Sequence, residues 1–388
     1  MNNSGAAIVG IGTTEYSKKS GRSELCLAAE ASLAALADAG VAPGDVDGFV
    51  TFSIDNNDES TLARNLGVYE VDFFARTSAG GGGAPGAIAL AAMAIETGKA
   101  SVVLCYRAMN ERSGRRFGQP LAFESQEVTT AEAERAWSAP FGMATPAAFM
   151  AHSARRYMHQ YNVDAADFGL QPVVQREYAV TNPDAFFYGK PMALDDHQAS
   201  RMIADPLRLL DCCQETDGGV ALVVTSADRA AQLRHAPVRV LGSAMGIAAR
   251  QHGMASMYRD DIAGVEETKI VGDQLYRQSD LAPADLDVAV LYDHFSPAIL
   301  MQLEALGFCG PGEAPDLVRD GATRIDGAIP TNTNGGQLSE AYMHGFNGLV
   351  EAVRQLRGTA VNQVPDARHA IVTGGPYVAT SGVILGGA

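Results

Sequence analysis

Tryptophan occurs once and cysteine five times in 388 residues, too few and too scattered to staple a fold. The cysteines, at positions 26, 105, 212, 213 and 309, are odd in number and form no C-x-x-C pair. That argues against a disulfide framework and against a zinc site, so no metal is expected. Positive charge is also scarce: 29 basic residues face 45 acidic ones, a formal net charge of −16. Nucleic acid and anionic membranes both reward a basic face, so neither is an expected partner. No run approaches the roughly 20 apolar residues of a membrane span. The start, MNNSGAAIVGIG, lacks the basic and apolar regions of a secretory leader, and a cytoplasmic enzyme is expected. What is plentiful is small and apolar. Hydrophobic residues make up 47% and glycine 41 positions, which suits a well-packed α/β protein with many tight turns.

An internal echo organises the chain. VAPGDVDGFV at 41–50 and LAPADLDVAV at 281–290 lie about 240 residues apart, each behind a helical pattern. Ser23 is placed to cap the first helix, whose small apolar face includes Leu27, Ala28, Ala31 and Leu36. The echoes lead into predicted strands at Gly48–Phe52 and Val288–Phe295. A second correspondence follows in the same order. Gly80–Gly83 opens a helix from Ala84 to about Gly98 with a strand at 101–105, and Gly335–Gly336 precedes a helix ending near Gly358 with a strand at 369–373. Strands at Ala6–Ile11 and Val238–Gly242 begin the two copies. Two similar α/β halves result, 1–235 and 236–388, the first carrying a long insertion over 107–219.

Within this frame, DPLRLLDCCQETDGGVALVVTSADRA (205–230), GFCGPGEAPDLVRDG (307–321) and PTNTNGGQLSEA (330–341) resemble the thiolase superfamily. The likeness is greatest to its sterol-carrier-protein-X and lipid-transfer-protein branch. The resemblance implies a five-layer αβαβα fold of two similar halves, a homodimer and a coenzyme A thioester substrate. Coenzyme A then enters as part of the substrate and not as a resident cofactor.

The departures from a degradative thiolase bear most on function. The acyl-accepting cysteine of that family falls on Gly81, which has no side chain to supply a thiolate. The histidine of the family's GHP motif falls on Tyr342, with His344 two positions on. The residue heading the N-E-A-F or H-D-C-F block falls on Tyr292, in Tyr292-Asp293-His294-Phe295. The second thiolase cysteine is replaced by Thr373 or a neighbour in IVTGGPYV. A site reading Gly, Tyr, Tyr and a non-cysteine resembles that of the aldolases that cut steroid side chains. That resemblance implies retro-aldol cleavage of a β-hydroxyacyl-CoA to a ketone and a short acyl-CoA such as propionyl-CoA. It also implies a small partner with an oligonucleotide/oligosaccharide-binding fold and a zinc ribbon, giving a heterotetramer.

Retro-aldol chemistry needs no acyl-enzyme; it needs a base for the β-hydroxyl, enolate stabilisation and an acid for the α-carbon. Tyrosine protonates an enolate readily but is a poor base at neutral pH, so a basic role requires a depressed pKa or concerted transfer. Carried over from those aldolases, Tyr292 takes the hydroxyl proton and Tyr342 protonates the enolate, with Asp293 or His294 orienting or relaying for Tyr292. The branch uses a further tyrosine early in the second half. Here Ala244 and Met245 stand there, so either Tyr258 reaches in or the contact is missing.

Arg107, Arg112, Arg115 and Arg116 stand out in so acidic a chain, either as contacts to coenzyme A phosphates or an acidic partner or as a solvated loop face. The Gly80–Gly83 run reads as close backbone packing at a dimer interface, Cys26 and Cys105 as core, and Asn332 and Asn334 as turn residues. Two rival functions remain open at this stage. One is an acyltransferase using another nucleophile, with Ser78 the nearest hydroxyl; the other is a non-catalytic, lipid-binding scaffold.

Overall fold

Nine strands form one hydrogen-bonded sheet: β1 (Ala6–Thr13), β2 (Gly48–Phe52), β3 (Phe73–Thr77), β4 (Val102–Asn110), β5 (Asp217–Ser226), β6 (Val238–Gly246), β7 (Val288–Val290), β8 (His369–Thr373) and β9 (Thr380–Gly386). The computed structural model describes residues 5–77, 80–114, 116–118, 136–254 and 257–387. The strand order is β3-β2-β4-β5-β1-β6-β9-β8-β7.

The duplication appears directly in the pairings. β2 runs parallel to β4, which is antiparallel to β5, which is antiparallel to β1. β7 is likewise parallel to β8, which is antiparallel to β9, which is antiparallel to β6. A parallel bridge from Ala289 to Thr331 occupies the place that β3 fills in the first half. The halves join edge to edge through Ala7 opposite Arg239 and Ile8 opposite Val238.

Helix composition decides the layering. α1 (Glu24–Ala39) starts on Ser23, whose hydroxyl accepts from the Cys26 N–H at 3.2 Å, and ends on left-handed Gly40. It is apolar on one face only and lies outside β1, β4 and β5, as α5 (Glu266–Ser279) lies outside β6 and β9. α2 (Ala84–Glu96) is small and apolar on nearly every side and can be buried all round. It touches strands of both halves, as does α8 (Phe346–Arg357). The five layers are therefore outer helix, half-sheet, paired central helices, half-sheet, outer helix. The long connection between β4 and β5 contributes α3 (Pro146–Tyr161) and α4 (Leu170–Thr181), and α6 (Ser296–Ala305) follows β7.

Several expected boundaries move. β4 continues to Asn110, so Arg107 lies on a buried strand and not in the insertion. β7 ends at Val290, so residues 292–295 are not strand and alternation says nothing about His294. The single helix expected after Gly335–Gly336 is two, α7 (Gly336–Ser339) and α8, with Tyr342 in the break between them. His344 (φ 52°) and Gly345 (φ 88°) make that break by taking left-handed backbone. Cys26 is exposed on α1 and not in the core, whereas Cys105 is buried on β4.

Candidate active site

Tyr292 and Tyr342 meet. Their phenol oxygens are 3.0 Å apart in a buried hydrogen bond, with the rings edge-on at 74° and centroids 6.4 Å apart. Tyr292 arrives on the loop that leaves β7, and Tyr342 on the break between α7 and α8, where Thr216 Oγ1 accepts its N–H at 3.0 Å.

Tyr292 sits in a slot walled by glycine. A Cβ built on Gly81 would overlap its phenol oxygen and Cζ, and a Cβ on Gly375 or Gly345 would lie 3.0 or 3.1 Å from its ring carbons. The ring thus fills the space that a side chain at residue 81 would need. Gly82 and Gly83 are crowded by the Ala379 carbonyl and the Phe52 ring, so both have a packing role inside the subunit. The backbone of Tyr292 is held from both sides. Thr373 Oγ1 accepts its N–H at 3.1 Å and Gln302 Nε2 donates to its carbonyl at 2.7 Å, while Thr373 Oγ1 donates to Gln302 Oε1 at 2.7 Å. Thr373 is committed to this ring of bonds. Asn332 extends the brace by accepting from the Leu291 N–H (2.7 Å) and donating to the Leu291 carbonyl (2.9 Å), a role beyond a turn residue.

Burial dominates the electrostatics. It pushes both phenols well above the ordinary tyrosine range, although the bond from Tyr342 acts to lower Tyr292. It also drives His294 down to about 3, so this imidazole is neutral. His294 lies with its ring centroid 5.3 Å from that of Tyr292, and its buried Nδ1 has no partner. Asp293 is committed elsewhere. It accepts from the N–H groups of Gln337 (2.9 Å) and Leu338 (3.1 Å) and from Gln175 Nε2 (2.6 Å), anchoring the start of α7. Of the two candidates for orienting Tyr292, only His294 packs its ring on the tyrosine and keeps an unpartnered polar atom.

A buried triad not anticipated from the sequence supports Tyr342. On β4, Arg107 donates from Nη1 to Asp55 Oδ2 at 2.7 Å and from Nε to His344 Nδ1 at 3.2 Å. Accepting at Nδ1 leaves the His344 proton on Nε2. Burial first and Arg107 second hold His344 well below its ordinary pKa. Its ring packs 4.9 Å from Tyr342 and 5.0 Å from Phe117, centroid to centroid. One signal was available: an arginine inside the apolar run VVLCYRAM can be buried only if it is paired.

Cys213 packs into the same apolar cluster as both tyrosines, and its N–H donates to the His294 carbonyl at 3.0 Å. Burial raises its thiol well above the ordinary range, so it supplies no thiolate. Tyr258 does not join the pair. It is exposed and packs edge-on against His252 with centroids 4.9 Å apart, while Ala244 is buried on β6. Arg116 pairs with Glu215 (Nε to Oε2, 2.8 Å), and Arg112 lies 4.0 Å from the same carboxylate. Arg115 and Ser78 lie outside the described residues.

A thiolase-type fold of two similar halves defines the class, and comparisons agree on that fold. Residues 248–387 match the family model described as Thiolase C-terminal domain-like. The chain is 55% identical over 381 residues to the steroid side-chain-cleaving aldolase of Thermomonospora curvata, covering 98% of this chain and 97% of that one. It is also 55% identical over 381 residues to the 17-hydroxy-3-oxo-4-pregnene-20-carboxyl-CoA lyase of Mycobacterium tuberculosis, covering 98% and 99%. The solved structure of an Ltp2-ChsH2(DUF35) aldolase superposes with a TM-score of 0.95 at 54% identity, over 99% of this chain and 98% of that one. Human mitochondrial 3-ketoacyl-CoA thiolase, at 15% identity and a TM-score of 0.69 over 99% of both chains, shares the fold. The chain belongs to the thiolase superfamily, in the branch of the steroid side-chain-cleaving aldolases.

Proposed function

We propose that this protein is a carbon–carbon lyase that cleaves the side chain of a steroid β-hydroxyacyl-CoA by a retro-aldol reaction, releasing a ketone and a short acyl-CoA such as propionyl-CoA. The observation that carries the mechanism is the 3.0 Å bond between Tyr292 and Tyr342. With both phenols raised by burial, a free phenolate is costly and concerted transfer is the economical route. The β-hydroxyl proton passes to Tyr292 as the Cα–Cβ bond breaks and the ketone C=O forms. The proton of Tyr292 crosses to Tyr342, and that of Tyr342 goes to the α-carbon of the enolate. Each tyrosine loses one proton and gains one, so both end the cycle neutral. Neutral His294, with its free Nδ1, is placed to orient the substrate oxygen beside Tyr292.

Arg112 and Arg116, which share the Glu215 carboxylate, take the coenzyme A phosphates in this reading, and the enzyme works in the cytoplasm as a homodimer. The dimer reading is supported by the edge strand β3, where Phe74 is 69% exposed. The aldolase structure named for Ltp2 together with ChsH2(DUF35) supports a small second subunit, expected to carry an oligonucleotide/oligosaccharide-binding fold and a zinc ribbon, in a heterotetramer. Purification alone and with the neighbouring gene product tests it: unchanged solubility and activity would exclude an obligate partner.

A panel of β-hydroxyacyl-CoA thioesters, assayed for ketone and short acyl-CoA together, tests the activity. Equimolar formation of both is expected. A covalent adduct after incubation with labelled acyl-CoA would instead establish an acyltransferase.

A further inference from the structure

Glu111 is the residue immediately after β4, and it is 3% exposed. Its carboxyl accepts the Phe117 N–H, and its Oε2, fully buried, has no hydrogen-bond partner. Among the described residues, the charged groups facing it are Lys18, Arg107, Arg116 and Glu215, and the neutral ones are Tyr292, Tyr342 and Cys213. All three cations are already engaged, Arg116 with the Glu215 carboxylate (Nε to Oε2, 2.8 Å). Lys18 donates to Gln214 Oε1 at 2.9 Å and to the Glu215 carbonyl at 2.7 Å, and Arg107 is bonded to Asp55 and His344. A carboxylate at 111 would be a buried charge without a counterion. Phe117, which holds Glu111, also packs on His344, the ring beside Tyr342.

We propose that Glu111 is a positioning residue for the lyase reaction, a neutral carboxylic acid linked through Phe117 and His344 to Tyr342 that keeps standing negative charge out of the site where the enolate forms. This role rests on the retro-aldol reading. Burial first, and Glu215 second, push the Glu111 carboxyl up to about 9, so it is un-ionised at neutral pH. Ionisation at higher pH places an anion against the developing enolate and lowers the rate.

The pH profile of β-hydroxyacyl-CoA cleavage by the intact enzyme, with its partner subunit where required, tests the proposal. Glu111→Gln keeps a neutral group and a donor. It is expected to stay within about 3-fold of wild type at pH 7 and to shift the alkaline limb upward by about one pH unit or more. Glu111→Ala, which leaves the Phe117 N–H without its acceptor, is expected to lose about 10-fold. Infrared difference spectra, wild type minus Glu111→Gln at neutral pH, should show the carbonyl stretch of one un-ionised carboxyl. An unchanged alkaline limb in Glu111→Gln, or no such band in an active enzyme, overturns the proposal. A band present in a wild-type enzyme that cleaves no β-hydroxyacyl-CoA overturns the lyase reading, and the role of Glu111 falls with it.

Discussion

The ring of Tyr292 occupies the volume that any side chain at Gly81 would require. The two positions are therefore alternatives: a thiol at 81 and a phenol at 292 cannot share the site without movement. Gly81→Ala is expected to displace the ring and lower kcat by more than ~100-fold, the lower range for loss of an acid–base group. Gly44→Ala, where an added Cβ meets nothing within 4 Å, serves as the control and should be near wild type. Steady-state assays of both variants, with a structure of the first, decide the matter. An active Gly81→Ala enzyme would count against the slot.

In the proposed reaction the tyrosine pair acts as one relay, so its members should not contribute independently. Tyr292→Phe and Tyr342→Phe are each expected to lose more than ~100-fold in kcat. The double variant should be little worse than the poorer single, since either change breaks the same chain of protons. Near-normal turnover in both single variants would remove the tyrosines from the mechanism, and multiplicative losses would show that they act separately.

Arg107→Leu leaves the Asp55 carboxylate buried without its partner and frees His344 Nδ1. A loss of about 3–5 kcal/mol in stability is expected, the usual cost of breaking a buried pair from one side. Chemical denaturation measures it. Replacing Asp55 and Arg107 together by apolar residues of similar size should recover part of that loss.

Stability should fall as pH rises from about 6.5 to 8. Burial raises Glu111 to about 9 and Glu340 to about 8, so the folded chain holds protons that the unfolded chain has released. Their favourable contribution is complete below the unfolded carboxyl value near 4.3 and declines as pH rises through that interval, by at most ~1.4 kcal/mol per pH unit per group. His294, held down to about 3, works in the other direction: its contribution is present above about 6.5 and lost as pH falls. Above 6.5 the glutamates therefore set the slope. Melting temperatures across this range should decline, and decline less in Glu111→Gln.

Arg116→Ala and Arg112→Ala test the coenzyme A reading. Each should raise KM several-fold with kcat preserved, the signature of lost uniform binding. A fall in kcat at unchanged KM would point to the Glu215 contact instead.

The sequence by itself determined the duplicated fold, because burial patterns, caps and glycine punctuation are local and survive in the order of the residues. It also determined which side chains are absent: no reading of Gly81 gives a thiolate, and Tyr292 and Tyr342 fall where the family keeps its polar groups. Only the tertiary structure decided how those residues are used. The phenol contact joins residues 50 apart, and the Arg107–His344 bond joins residues 237 apart, separations that no periodicity encodes. Asp293 and His294 are neighbours in sequence, yet one anchors a helix and the other packs its ring on Tyr292 with a nitrogen left unpartnered, because a loop after a short strand can turn adjacent side chains to different surroundings. Nothing in the sequence singles out Glu111; its proposed protonation follows from burial and from the prior commitments of Lys18, Arg107 and Arg116, which exist only once the chain has closed around it.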